Sequence, residues 1–403
     1  MTEGALPLEG IRILDLSRLI PGAYCTAILG DAGAEVIKVE ELKTGDYERE
    51  IPPFVNQMAS RFLILNRNKK SVALDLKKEE GHEVFLKLTA ASDVVLECFR
   101  PGTMDKLGLG HEKLLKINPR LIYCSISSFG QDGPYRDVIA HDINTLGMAG
   151  LLQITGTSEG DPAIPGMQLA DSMAGMNAAL AILLSLTDRT RTGQGRFIDI
   201  SMYDGVFSLL FDAARYAFTG TTVPERGKGR LWGGFPNYSV YATKDGGHIT
   251  VGALETKFKR LLLKKLGRED LAGPVDQTTS TQIQASDAEL REFLQKTFLQ
   301  KTRDQWVSEF NEMNICVGPV NTVEEAVDHP LTRYREMVLE MNHPVAGAYK
   351  QIGSALKSSP KLTDIARRPA PGLGEHTEEI LSELGYDQTV LERLRERGII
   401  RNS

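Results

Sequence analysis

The sequence predicts an α/β protein: a doubly wound parallel sheet followed by a smaller α+β unit. Three observations carry this. Over the first two hundred residues, short β-branched runs alternate with helical patterns, the mark of successive strand–helix–strand units. After Tyr216 the alternation stops, and two strand patterns flank Lys244-Asp-Gly-Gly247, a hairpin signal. A length of 403 residues is ample for two domains, and 41% apolar residues are enough to fill their cores.

The elements follow in order. Ile11-Arg-Ile-Leu-Asp-Leu16 reads as a buried strand because its apolar residues run almost unbroken. Residues 22–29 read as a helix closed by Gly30, and 35–40 as a second strand. Further strands are expected at 93–98, 121–126 and 197–200, with helices at 78–90, 105–116, 142–151 and 172–187. A helix over 202–216 ends a large domain spanning 1–220. Strands at 237–243 and 248–252 and helices at 255–266, 287–297 and 302–312 then form a small α+β domain over 221–323. The remainder, 324–403, turns back through Pro369-Ala-Pro-Gly-Leu-Gly374 into a polar helical stretch at 377–397 that docks on the first domain.

Composition narrows the function. A net charge of −6, from 47 basic and 53 acidic side chains without a basic stripe or interleaved aromatics, gives no support to a nucleic-acid binder and little to a membrane-surface protein. Cys25, Cys98, Cys124 and Cys316 form no CxxC pair and sit mainly in apolar runs, so they read as buried thiols in a reducing compartment. No signal-peptide pattern opens the chain, and the longest apolar stretch, 178–186, is too short to span a bilayer. A soluble cytoplasmic protein is the expectation.

Several chemistries lose their main support. The turn after the first strand, Ser17-Arg-Leu-Ile-Pro-Gly-Ala23, lacks GxGxxG, and GxxxxGK[ST], HExxH and GxSxG are absent. No metal site is expected. What stands out is the segment from His141 to Asp171, which reads His-Asp-Ile-Asn at its start and Gly166-Met-Gln-Leu-Ala-Asp171 at its end, opening onto an apolar helix. An aspartate there sees the positive end of the helix dipole, which favours its ionised form. Imidazole and carboxylate together suffice for proton transfer or carboxylate attack. Each residue also has a bland reading. Taken alone, Asp171 and His141 read more readily as helix caps, Glu255 reads as a dipole-favoured surface glutamate, and Arg100 equally as a solvated turn residue.

These segments taken together resemble the class III CoA-transferase and α-methylacyl-CoA racemase family, also called CaiB/BaiF. The matches run in order along nearly the whole chain: Pro7-Leu-Glu-Gly-Ile-Arg-Ile-Leu-Asp-Leu16, Leu29-Gly-Asp-Ala-Gly-Ala-Glu-Val-Ile-Lys38, Asn66-Arg-Asn-Lys-Lys-Ser71, Phe99-Arg-Pro-Gly102, Asn118-Pro-Arg-Leu-Ile-Tyr123, Thr192-Gly-Gln-Gly195 and Gly374-Glu-His-Thr-Glu378. The resemblance implies a Rossmann-like large domain that binds coenzyme A as part of the substrate, with no tightly bound cofactor. It further implies an interlocked homodimer whose active sites lie between one subunit's large domain and the other's small domain.

Asp171 then matches the family's catalytic carboxylate. Arg100, with Phe99 beside it, is implied at a CoA phosphate, Lys106 at a second basic contact and Lys69 near the adenine ribose. Glu41 stands where the family often has an arginine, so Lys38 or Lys43 is expected to compensate. His141 and Glu255 match the racemase histidine and its supporting glutamate, with Asp142 expected to help orient the histidine. Thr145 replaces the tyrosine usual in racemases, and Gly166-Met-Gln-Leu-Ala-Asp171 is closer to transferases. The comparable glycine-rich loop of formyl-CoA transferases is replaced by Leu231-Trp-Gly-Gly-Phe-Pro236.

The leading expectation is racemisation of α-substituted acyl-CoA thioesters by His141 and Asp171. The alternative is CoA transfer to a second carboxylic acid with Asp171 as nucleophile. A third reading is a noncatalytic subunit of a hetero-oligomer. Met148, Met167, Trp232 and Phe235 are candidates for an apolar acyl pocket.

Overall fold

The computed structural model describes residues 5–272, 285–313 and 315–401. It divides into two compact units. The larger contains the chain up to Ala149, Met167–Ser208 and everything from Pro330 onward, and the smaller contains Gly150–Gly166 and Leu209–His329. The division falls at 209 and 330 where the sequence suggested 221 and 324, and it assigns the 150–166 crossing to the smaller unit.

The larger unit is built on seven strands: β1 (Arg12–Asp15), β2 (Glu35–Glu40), β3 (Lys69–Leu74), β4 (Val94–Glu97), β5 (Ile122–Ser127), β6 (Arg196–Ser201) and β7 (Ile400–Arg401). Their order is β7-β3-β2-β1-β4-β5-β6, parallel throughout except for β7. The order reverses between β1 and β4, and the loops leaving their carboxyl ends diverge there, the usual place for a ligand crevice in such sheets. β3 was not foreseen. Its two leading lysines mask it, yet all six residues are buried.

Helix α1 (Ile20–Asp31) is apolar nearly all round and buried, with Pro21 preorganising its first turn. α2 (Asp142–Met148) is shorter than expected because Gly150, at φ 91°, breaks it. α3 (Leu169–Thr192) is longer: it starts three residues before the expected helix and ends five after it. At 24 residues it is long and apolar enough to cross a bilayer by length and composition, which the 178–186 stretch had understated. Its inner face packs on α1 at Gly175, where a Cβ would lie 2.6 Å from the Pro21 carbonyl oxygen.

Helices at Thr377–Glu383 and Gln388–Glu396, separated by Gly385 at φ 85°, dock the tail on this core through Ile380, Leu381, Leu391 and Leu394. The smaller unit carries a three-stranded antiparallel sheet, Val317–Pro319, His248–Gly252 and Tyr238–Ala242. Its hairpin turns at Gly246, at φ 79°, where the sequence signal lay. Leu262, Leu290, Leu294, Phe298, Trp306 and Phe310 form its core.

Candidate active site

At the carboxyl end of β1, Asp15 is fully buried between two equally buried lysines. Lys69 Nζ lies 3.2 Å from Asp15 Oδ2 and donates to Asn66 Oδ1 at 2.9 Å. Lys38 Nζ lies 2.7 Å from Asp46 Oδ2 and donates to the Ser17 carbonyl at 2.8 Å. Burial opposes the Asp15 charge, but the two ammonium groups and two hydroxyl donors outweigh it and hold the carboxyl near 2. Burial brings Lys69 down to about 8. These two lysines therefore do not serve as coenzyme A ligands. Parallel strands are covered on both faces, so their charged ends are consumed inside the fold.

The same network shapes the loop leaving β1. Leu19 has a positive φ of 65°, and its N–H donates to Asp46 Oδ1 at 3.1 Å. Arg18, one residue earlier, lies 5.7 Å from the Phe99 ring centre and 5.1 Å from that of Tyr47, donating to the Tyr47 hydroxyl at 2.9 Å. Phe99 follows β4, and its N–H is fixed by Glu97 Oε2 at 2.7 Å. Burial raises Glu97 to about 7. Arg100 and Lys106 are exposed, and neither has an ion-pair partner among the described residues. This rim of cations and aromatic faces over the strand ends suits a phosphate-bearing nucleotide. Arg18 and Tyr47 were missed because the β1 turn was tested only for glycines. Glu41 accepts from Gly45 N at 3.0 Å and so shapes its own loop; Lys43 is exposed.

The carboxyl expected from the sequence to react, Asp171, lies in the same unit. Asp171 is the third residue of α3, and Gln168 holds the N-cap position, so Asp171 does not cap the helix. Asp142, the first residue of α2, reaches across instead. Its Oδ1 accepts the Ala170 and Asp171 amides at 2.7 and 3.1 Å. The helix-end donors that were expected to favour an ionised Asp171 are thus spent on Asp142. Burial, then the Asp142 and Glu48 charges, push the Asp171 carboxyl up to about 7, against the pull of Arg61.

The Asp142 Oδ1 hydrogen bonds run to α3, whereas the sequence suggested that this residue would orient the His141 ring. His141 occupies the N-cap position of α2 and is exposed; its backbone N–H donates to Asn144 Oδ1 at 3.1 Å, and Thr145 Oγ1 donates to its carbonyl at 3.1 Å. Thr145 is wholly buried.

Arg61 sits on the short helix Ser60–Leu65 and is ion-paired through Nε to Glu48 Oε2. The Glu48 side chain is fully buried, its Oε1 has no hydrogen-bond partner, and burial raises its carboxyl. Neither residue carries a motif, and only the folded chain brings them to Asp171.

In the smaller unit, Glu255 is exposed at the N-cap of Thr256–Lys265. A cavity of about 1330 Å³ there is lined by Trp232, Gly233, Gly234, Arg291 and Cys316 among others. Cys316 is exposed, unlike the buried thiol expected. Met148 and Met167 are also exposed, Phe235 is half-buried, and no three potential metal ligands cluster among the described residues.

The model of CoA-transferase family III matches residues 8–377. The chain belongs to this family. Its members act typically on CoA-linked substrates. Relatives of both reaction types match end to end. A succinyl-CoA:glutarate CoA-transferase of Mus musculus is 37% identical over 98% of this chain and 90% of its own length. The alpha-methylacyl-CoA racemase of the same species is also 37% identical, over 98% of this chain and 97% of its own. A crystal structure of a CaiB/BaiF family protein from Brucella suis superposes with a TM-score of 0.81 at 31% identity, covering 94% of this chain and all of that one. The chain is an enzyme of the transferase and racemase family, and both named activities occur among its relatives.

Proposed function

We propose that this chain racemises α-substituted acyl-CoA thioesters by proton transfer at Cα. The observation that carries the reading is the Asp142 bridge together with the perturbed Asp171. One residue before Asp142 stands His141, and the amides that Asp142 holds belong to Asp171 and its neighbour. The segments that carry the imidazole and the carboxyl are thus joined through the Asp142 side chain. A carboxyl near 7 is populated in both protonation states at neutral pH, as reversible proton transfer requires. One group removes the Cα proton, leaving a thioenolate, and the other returns a proton to the opposite face. Arg100, Lys106, Phe99 and Arg18 would hold the CoA moiety, and Glu255 of a second subunit would support His141.

A homodimer is part of this proposal. Met176, Leu180, Leu183 and Leu184 recur on one face of α3 and are 37–62% exposed, an apolar stripe suited to a second copy.

The test is incubation of one enantiomer of 2-methylbutyryl-CoA or 2-methylsuccinyl-CoA in heavy water without an acceptor acid. Deuterium should enter Cα as configuration is lost. Failure of both thioesters to exchange would overturn the reading. CoA transfer through an Asp171 anhydride is the second reading, favoured by the cation Arg61 beside the carboxyl. It predicts an adduct on Asp171 trappable with hydroxylamine only after a donor thioester is added.

A further inference from the structure

Arg61 has more capacity than its one partner uses. Only its Nε is engaged, by Glu48, and the two terminal amino groups of the guanidinium have no partner among the described residues. The side chain is 36% exposed while Glu48 behind it is wholly buried. Glu48 therefore anchors the arginine from within and leaves its fork open. Arg61 also acts electrostatically on the Asp171 carboxyl, so its open fork lies within charge range of that group.

Glu48 takes up only the Nε edge of the guanidinium. Asp142 is met by two α3 amides, and burial lifts both Asp171 and Glu48 toward their neutral forms. A planar fork with free donors beside a reacting carboxyl fits a second carboxylate, which it can take in a bidentate grip. An unbranched alkyl chain would leave the same donors without partners, which is costly in a partly desolvated site.

We propose that Arg61 binds a carboxylate at the far end of the acyl group, so that the preferred thioesters are half-thioesters of dicarboxylic acids. This rests on the reading that acyl-CoA reacts at Asp171, and it holds for racemisation and CoA transfer alike. Arg61 is a specificity-determining residue in this account.

The test compares succinyl-CoA with butyryl-CoA, which differ by a carboxylate in place of a methyl group. Calorimetric Kd values are measured for the full chain and for Arg61→Lys, Arg61→Gln and Arg61→Gln combined with Glu48→Gln. The last variant removes the buried carboxylate that Arg61→Gln leaves unpaired, so a folding defect is separated from a binding one. The unaltered chain should prefer succinyl-CoA by about tenfold or more. Both Gln variants should lose that preference through weaker succinyl-CoA binding alone, and Arg61→Lys should keep part of it. Equal affinity of the unaltered chain for the two thioesters would overturn the proposal, as would an equal loss for both in the double variant. Because binding is read without turnover, a preserved preference alongside absent α-exchange would defeat the racemase reading while leaving Arg61 in its role.

Discussion

Asp171 combines a functional need with a structural cost. Its carboxyl is raised above the unfolded value by burial, so the folded chain keeps this proton at pH values where the unfolded chain has lost it. Stability therefore falls as pH climbs from about 4 to about 7. Asp171→Asn should abolish α-exchange and raise stability at pH 8 by on the order of 2 kcal/mol, with the gain vanishing near pH 4, read from denaturant melts. Asp142→Asn keeps an oxygen for the two α3 amides but removes the charge that disfavours ionised Asp171. The Asp171 limb of the pH–rate profile should then move to lower pH with little change in the melting temperature. Asp142→Ala also removes the helix-end acceptor and should cost about 1 kcal/mol. The motif that ends in Asp171 was legible in the sequence. That Asp142 would take up its backbone amide was not, because Asp142 lies 29 positions away and meets it only through tertiary contact.

Strands and loops divide the basic residues between two tasks. Lys38 and Lys69 lie in parallel strands and neutralise Asp15 and Asp46, whereas Arg100 and Lys106 follow a strand end and face solvent. Removing one partner of a buried pair is severe, so Lys69→Met should destabilise the chain by about 3–5 kcal/mol. Arg100→Ala should leave the melting temperature unchanged and weaken binding of CoA itself, a contrast that calorimetry and thermal melts decide together. Apolar runs made the central strands β1, β4 and β5 readable, whereas β2 and the edge strand β6 were read from their β-branched residues. β3 defied the same rule because its lysines are buried by pairing with residues from other strands and loops. The tail helix read as continuous is broken where Gly385 takes a conformation that helices exclude.

For the molecule as a whole, the exposed stripe on α3 sets the assembly prediction. Leu180→Glu with Leu184→Glu should shift sedimentation from dimer to monomer at micromolar concentration, with α-exchange falling in parallel. The two-part organisation was legible because the strand–helix alternation stops after Tyr216. The return of the 150–166 crossing to the smaller unit was not, for a glycine-rich connection carries no period that says which core it joins. β7 pairs antiparallel with β3, and the tail helices fill the core of the larger unit, although 121 residues of the smaller unit, Leu209–His329, intervene between β6 and that tail. The larger unit is thus sewn from three separate lengths of chain. A gene split within the smaller unit should yield two fragments that reassemble when co-expressed, each insoluble alone, since neither carries a complete sheet edge and core.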